Sequence, residues 1–145
     1  MDKNTYLINL SESEYTDFGR IDFASQNLVQ KTFSAIWELE SQVNNGGFEQ
    51  YFRNSNSDMI AYAPEALQRI GATACADLVK AAMATIAPIP AEDDARIDAL
   101  DAVLDADEQI FEELDSHFFA YPDNLTELLF AFVAKNQDEF GKVPE

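Results

Sequence analysis

The chain has 145 residues, 47% hydrophobic and 12% aromatic, which is enough apolar material for one folded domain and excludes a disordered acidic tail. Its 27 Asp and Glu against 9 Lys and Arg give a formal net charge of −18. That balance all but excludes direct binding to nucleic-acid phosphates or to anionic membranes, and favours a cation-rich partner such as a basic protein surface, a polyamine or a metal.

Residues 1–24 read as an N-terminal arm, either a short helix or extended. Tyr6, Leu7, Ile8 and Leu10 are apolar, and a polar stretch over 11–14 follows. The opening Met1-Asp2-Lys3-Asn4 is polar and starts no signal-peptide apolar run. A helix is predicted over 25–43, where Leu28, Val29, Thr32, Phe33, Ile36, Trp37, Leu39 and Val43 keep near-helical spacing. Asn44-Asn45-Gly46-Gly47 stops it, because Asn and Gly tolerate the left-handed backbone of a helix end. Phe48, Tyr51 and Phe52 then share one side of a turn or two of helix. Ser57 is positioned to cap the next helix, which carries Ile60, Ala63, Leu67 and Ile70 and ends at Gly71; Pro64 either kinks it or begins it. A fourth helix covers 72–87 and breaks at Pro88 and Pro90. Cys75 permits no internal disulfide, and its neighbours Thr73, Ala74, Ala76 and Leu78 suggest a buried thiol rather than a nucleophile.

The segment 92–127 dominates the charge. It holds thirteen carboxylates (Glu92, Asp93, Asp94, Asp98, Asp101, Asp105, Asp107, Glu108, Glu112, Glu113, Asp115, Asp123 and Glu127) and one base, Arg96, for a net −12. Asp94, Asp98, Asp101, Asp105, Glu108, Glu112 and Asp115 follow one another at steps of three and four, which draws one stripe on a helix. Ile97, Leu100, Leu104, Phe111, Leu114 and Phe118 form an apolar seam at the same spacing. The segment therefore reads as a helix, or two helices end to end, docked by that seam. Like charges at i,i+4 cost roughly 0.2–0.5 kcal/mol each, and Asp is a poorer helix former than Glu. A solvated helix face and a functional acidic surface weigh about equally once the lack of basic partners is counted. Adaptation to high salt would spread the acids evenly, and these are concentrated.

Tyr121-Pro122-Asp123 is a turn, Asn124 caps a last helix with Leu125, Leu128, Leu129, Phe132 and Val133, and from Asp138 the chain loosens into a tail, residues 140–145. The longest apolar run, 128–134, is too short to span a bilayer. No segment alternates as a half-buried strand does. The expectation is a single all-α domain, 1–145, of six or seven helices with its core over 25–139, in the reducing cytoplasm.

Candidate chemistry is sparse. His117 is the only histidine, and one His among carboxylates is more often a surface or capping residue than a zinc or iron ligand. Asp105-Ala106-Asp107-Glu108 lacks the glycine and the closing Glu of a calcium loop. A charged stripe on an exposed face offers no pocket to separate two carboxyl pKa values for acid–base work. No phosphate-cradling loop and no Ser-His-Asp pattern is present. No metal, cofactor or enzymatic activity is expected.

The most distinctive string is Asn44-Asn45-Gly46-Gly47-Phe48, with Gln50-Tyr51-Phe52 and Asn54-Ser55 after it. Gln50 and Asn54 stand i,i+4 and can tie the corner together by hydrogen bonds, a reading preferred over a polar pocket. Together with Ala66-Leu67, Ile70-Gly71-Ala72 and Leu114-Asp115-Ser116-His117-Phe118-Phe119, the string is similar to the hallmark of the DNA-mimic (DMP) type domain, a family of small all-helical bacterial proteins. Most of its members carry only a domain-of-unknown-function label. The resemblance spans roughly 25–133. It implies a helical homodimer whose carboxylates imitate DNA phosphates and occupy the DNA-binding surface of a transcription regulator. It transfers no binding residue; Asp94, Asp98, Asp101, Asp105, Glu108, Glu112 and Asp115 are candidates from spacing alone. The alternative expectation is an interaction or immunity-type module that uses the surface around 44–54, with the acids serving only solubility.

Overall fold

A computed structural model of the chain describes residues 1–12 and 16–141. Among them are seven α-helices and no strand: α1 (Lys3–Ser11), α2 (Leu28–Asn54), α3 (Ser57–Arg69), α4 (Thr73–Ala84), α5 (Asp93–Ala106), α6 (Glu112–Phe119) and α7 (Leu125–Lys135). The all-α single domain expected from composition and periodicity is the fold that forms.

Of the two options for the N-terminal arm, the short helix is realised. Asp2 caps it, its Oδ1 accepting the N–H of Thr5 at 2.8 Å. Leu7 and Leu10 are buried, and α1 packs on α7 through a Tyr6–Phe130 edge contact and a Lys3–Glu127 ion pair. The end of the polar stretch, residues 13 and 14, lies outside the described residues together with residue 15, as does the part of the expected tail over 142–145.

Helix α2 starts at Leu28 rather than at Ser25. Asn27 and Gln30 form a reciprocal capping box, with Asn27 Oδ1 accepting from the Gln30 N–H (2.9 Å) and Gln30 Oε1 accepting from the Asn27 N–H (3.0 Å). Ser25 belongs to a separate 3-10 turn, Phe23–Ser25. Helical backbone stops at Gly46 (φ −156°, ψ 21°) and Gly47 (φ 74°, ψ −173°) and resumes at Phe48, so the expected stop is a kink inside one element. Asn56, and not Ser57, caps α3: its Oδ1 accepts from Met59 N–H at 2.9 Å, while Ser57 turns inward. Helix α3 runs through Pro64, which removes one backbone bond to Ile60 without breaking the element.

Helix α2 is the central element. It buries Thr32, Phe33, Ala35, Ile36, Leu39 and Val43 before the kink and Phe48, Tyr51 and Phe52 after it. Helices α3, α5 and α6 pack against it, and α4 bridges α3 and α6. Two aromatic groups fill the core. Phe48 lies within 6.0 Å of Phe52, 6.4 Å of Phe111 and 5.9 Å of Phe118, ring centre to ring centre. At the other end Phe33 stacks on Trp37 at 5.6 Å and meets Phe18 and Phe140 at 5.5 and 5.8 Å. Phe140 overturns the idea of a loose tail from Asp138 to at least that point. The 3-10 turn Gln137–Glu139 leads it back into the core, where it is 2% exposed.

Among the described residues one buried side-chain group is unsatisfied. The Tyr51 hydroxyl is fully buried without a hydrogen-bond partner, and burial with Glu38 nearby pushes its pKa up. A buried unpaired hydroxyl costs about 1–3 kcal/mol. Tyr51→Phe is therefore expected to leave stability unchanged or raise it by about 1 kcal/mol, read from the urea midpoint at constant m-value. A clear loss would show that the hydroxyl holds something together.

Candidate acidic interaction surface

Helix α5 is oriented by the only base in the acidic segment. Arg96 falls on the apolar phase of the helix, four residues before the buried Leu100, and is itself 1% exposed. Its Nε donates to the Phe52 carbonyl at 2.7 Å, and its Nη1 donates to Ser57 Oγ at 2.7 Å and to Asp93 Oδ1 at 2.6 Å. The guanidinium thus joins the end of α2, the start of α3 and the start of α5. With that phase fixed, Asp94, Asp98, Asp101 and Asp105 all face outward and are exposed.

The stripe does not continue as one helix. Helix α5 ends at Ala106, and Asp107 is extended (φ −153°, ψ 98°). Its Oδ1 accepts the Gln109 N–H at 3.1 Å, the local side-chain bond by which Asp competes with helix. Glu108 is exposed on the connecting turn and Glu112 on the first turn of α6. The segment is two helices end to end, and steps of three and four across the turn no longer mean one face.

Asp115 stands apart from the other six candidates. It is partly buried, and its Oδ1 accepts the backbone N–H of Phe48 at 2.8 Å, which closes the glycine kink onto α6. A Cβ on Gly47 would collide with its carboxylate. Burial raises its pKa, the bond to Phe48 opposes the shift, and Glu49 adds to it.

Basic partners missing from the local sequence arrive from elsewhere. Arg53 of α2 meets Asp101 at 2.9 Å and reaches toward Glu49, and Lys3 of α1 pairs with Glu127, while Asp93 pairs with the segment's own Arg96. Asp123 is also engaged, accepting the Cys75 N–H at 2.8 Å. Glu92, Asp94, Asp98, Asp105, Asp107, Glu108, Glu112 and Glu113 remain exposed, with no ion pair among the described residues. Asp58, on the first turn of α3, extends this surface: with Glu92, Asp93 and Asp94 it borders an open recess of about 540 Å³ between the starts of α3 and α5. Sequence reading missed Asp58, Arg53 and the role of Arg96. A single arginine on the apolar phase of an acidic helix was the available signal for the last.

The amides of the corner are spent on one another. Gln42 Oε1 accepts from Gln50 (2.8 Å) and Asn54 (3.2 Å), and Gln42 donates to Glu38 (3.1 Å), which also accepts from Ser55 (2.8 Å). Asn45 donates to Gln50 and Asn44 to the Tyr121 hydroxyl. Gln50 and Asn54 do tie the corner, and both do so at Gln42. His117 is exposed, and among the described residues no three His, Cys, Asp or Glu side chains converge as a metal site requires. Cys75 is buried, and burial together with Asp123 pushes its thiol pKa up to about 12. Among the described residues no helix is long and apolar enough to cross a membrane.

A glycine-kinked α2 closed by Asp115, carrying the Asn-Asn-Gly-Gly-Phe string, is the framework on which the acids are displayed. The chain belongs to the family described as DMP19-like protein, whose pattern it matches over residues 24–136. Comparison with curated proteins and with solved structures gives no significant match. The matched region leaves out α1 and Phe140, so the packing of both ends onto the core lies outside the shared pattern.

Two outcomes test the corner. Gly47→Ala forces a side chain into a backbone region open almost only to glycine, and is expected to lose more than about 2 kcal/mol by urea denaturation. Gly71→Ala, at φ 88° with open space around it, loses about half as much. An equal loss at both would deny Asp115 its part in the strain. For Asp115 the folded pKa lies above its ordinary 3.8, so the stability gained by holding the proton is present at low pH and fades as pH rises through the folded value. Asp115→Asn keeps an acceptor for Phe48. Its stability relative to the parent should therefore grow from about pH 3.8 upward; a flat difference would contradict the shift.

Proposed function

We propose that the chain acts by binding, not by catalysis. It uses the outward carboxylates of α5, the following turn and α6 to occupy the DNA-binding surface of a basic protein such as a transcription regulator, in the cytoplasm, so that DNA cannot. Membership of the DMP19-like family supports this reading, and so does the placement of the acids. Asp93, Asp94, Glu112 and Glu113 sit on first helical turns, where the helix dipole favours them and a structural reason is enough. Asp98 and Asp105 have no such reason, and Asp101 has only its exposed pair with Arg53. Asp105 in particular sits in the last turn of α5, which has no base, and there the dipole opposes a negative charge. Unpaired acids at helix positions that the dipole does not favour are the observation that carries the reading.

The four stripe acids of α5, Asp94, Asp98, Asp101 and Asp105, place one charge about every 5 Å at a rise of about 1.5 Å per residue. A DNA strand carries one about every 3.4 Å. The partner's Lys and Arg would bind this row as they bind phosphate. A homodimer would set a second row beside the first. Asp115 belongs to the corner in this reading, and Asp101 contributes only part of its charge because Arg53 already holds it.

The test begins with capture from host lysate at low salt. It continues with the captured protein's DNA affinity, measured by fluorescence anisotropy with this chain added. DNA is expected to be displaced, at least tenfold less effectively at 200 mM than at 50 mM salt. A block indifferent to salt over that range would sink the reading. Asp105→Asn alone is expected to stabilise the fold by about 0.3–1 kcal/mol while weakening the block. Destabilisation, or an unchanged block, would remove the main support.

A further inference from the structure

A groove of about 470 Å³ runs between α4 and the turn joining α6 to α7, lined by Ala74, Asp77, Leu78, His117, Ala120 and Pro122. Its accessible lining is mostly apolar, and the rings of Phe119, at the end of α6, and Tyr121, on the turn, are each 47% exposed. Nothing in charge imitation requires this. A row of carboxylates selects basic surfaces; an apolar contact adds a second term that tells apart basic surfaces of similar charge pattern.

The groove is continuous with the acidic surface through α6. Glu113 and His117 are four residues apart on that helix, so one exposed line begins with a carboxylate and ends at the groove wall. On the neighbouring line Glu112 and Ser116 lead to the exposed ring of Phe119. A segment laid along α6 therefore meets negative charge first and apolar surface about 6 Å further on, one helical turn away. The rim adds Asp77. A second copy of this chain would bring the same carboxylates against them, whereas a basic segment brings their complement.

We propose that this groove takes an apolar side chain of the same basic partner, carried about four residues from a Lys or Arg that binds Glu112 and Glu113. The groove then sets which partner is chosen, and the acids set that it is basic. This rests on the reading of the acidic surface as a binding site for a basic protein.

Two synthetic helical peptides of 15 residues serve as probes, with identical Lys and Arg content. One carries leucines on one face and the other carries serines in their place. The leucine peptide is expected to bind the whole chain at least tenfold more tightly at about 150 mM salt, as one buried leucine allows. Ala74→Phe and Ala120→Phe fill the groove from its two walls. With folding checked by circular dichroism, each should reduce the leucine peptide to the level of the serine peptide without changing the salt slope. Glu112→Gln with Glu113→Gln should lower the salt slope for both peptides and keep their ratio. Salt-dependent binding of both peptides with no leucine advantage, or an advantage that survives both filled variants, overturns the groove while leaving the acidic reading intact. Absence of salt-dependent binding by either peptide overturns the acidic reading itself. A change in sedimentation mass on filling the groove, with peptide binding unaltered, assigns the face to a second copy and also overturns the proposal.

Discussion

The orientation of the acidic helix depends on a buried guanidinium. Removing an arginine from water costs several kcal/mol, and well-placed acceptors are what offset that cost. Arg96 finds three, and they belong to three different helices. Rotating α5 about its axis, or sliding it along α2, would strand the charge away from the Phe52 carbonyl and Ser57. The outward phase of Asp98, Asp101 and Asp105 is therefore a by-product of an inward bond. Asp93 and Asp94 are adjacent in sequence and unlike in role: the first completes the arginine's shell, and the second is left to solvent.

The carboxylates divide by what they touch. Asp115 and Asp123 each accept a backbone N–H from a distant helix, Phe48 in α2 and Cys75 in α4, and so act as clips between elements. Asp101 and Glu127 balance single cations at the surface, where such pairs are worth little. Asp93 closes on Arg96, and the remaining acids of 92–127 face water with no ion pair among the described residues. High negative charge therefore serves two purposes in one molecule, and counting acids cannot separate them. Only the partner atoms do.

Much of the fold was legible in the sequence because helical periodicity and punctuation agree. The 3.6-residue spacing around Phe33 and Ile36 and the Asn-Asn-Gly-Gly break each marked a real feature. Asn124 marked the last helix as its cap, with its Oδ1 on the Glu127 N–H. The errors fall where tertiary contacts decide. Ser57 has the right chemistry for a cap, but Arg96 claims its hydroxyl, and Asn56 one residue earlier takes the role. Phe140 follows a polar run that reads as tail, yet Phe18 and Phe33 leave an aromatic space that it fills. For the acidic surface, spacing identified the four outward residues of α5. It failed at Asp115 because the turn at Asp107 resets the helical phase. Arg53 was out of reach for the same reason that any long-range pair is: 48 residues separate it from Asp101.

The single thiol has a consequence of its own. Cys75 is enclosed in the core, and with its ionisation moved up to about 12 almost none of it is thiolate at neutral pH. An alkylating reagent meets a reactive sulfur only after α4 has parted from its neighbours and the Asp123 clip has opened. The rate at which this one atom is modified thus measures how often that side of the molecule opens, with no engineered label required.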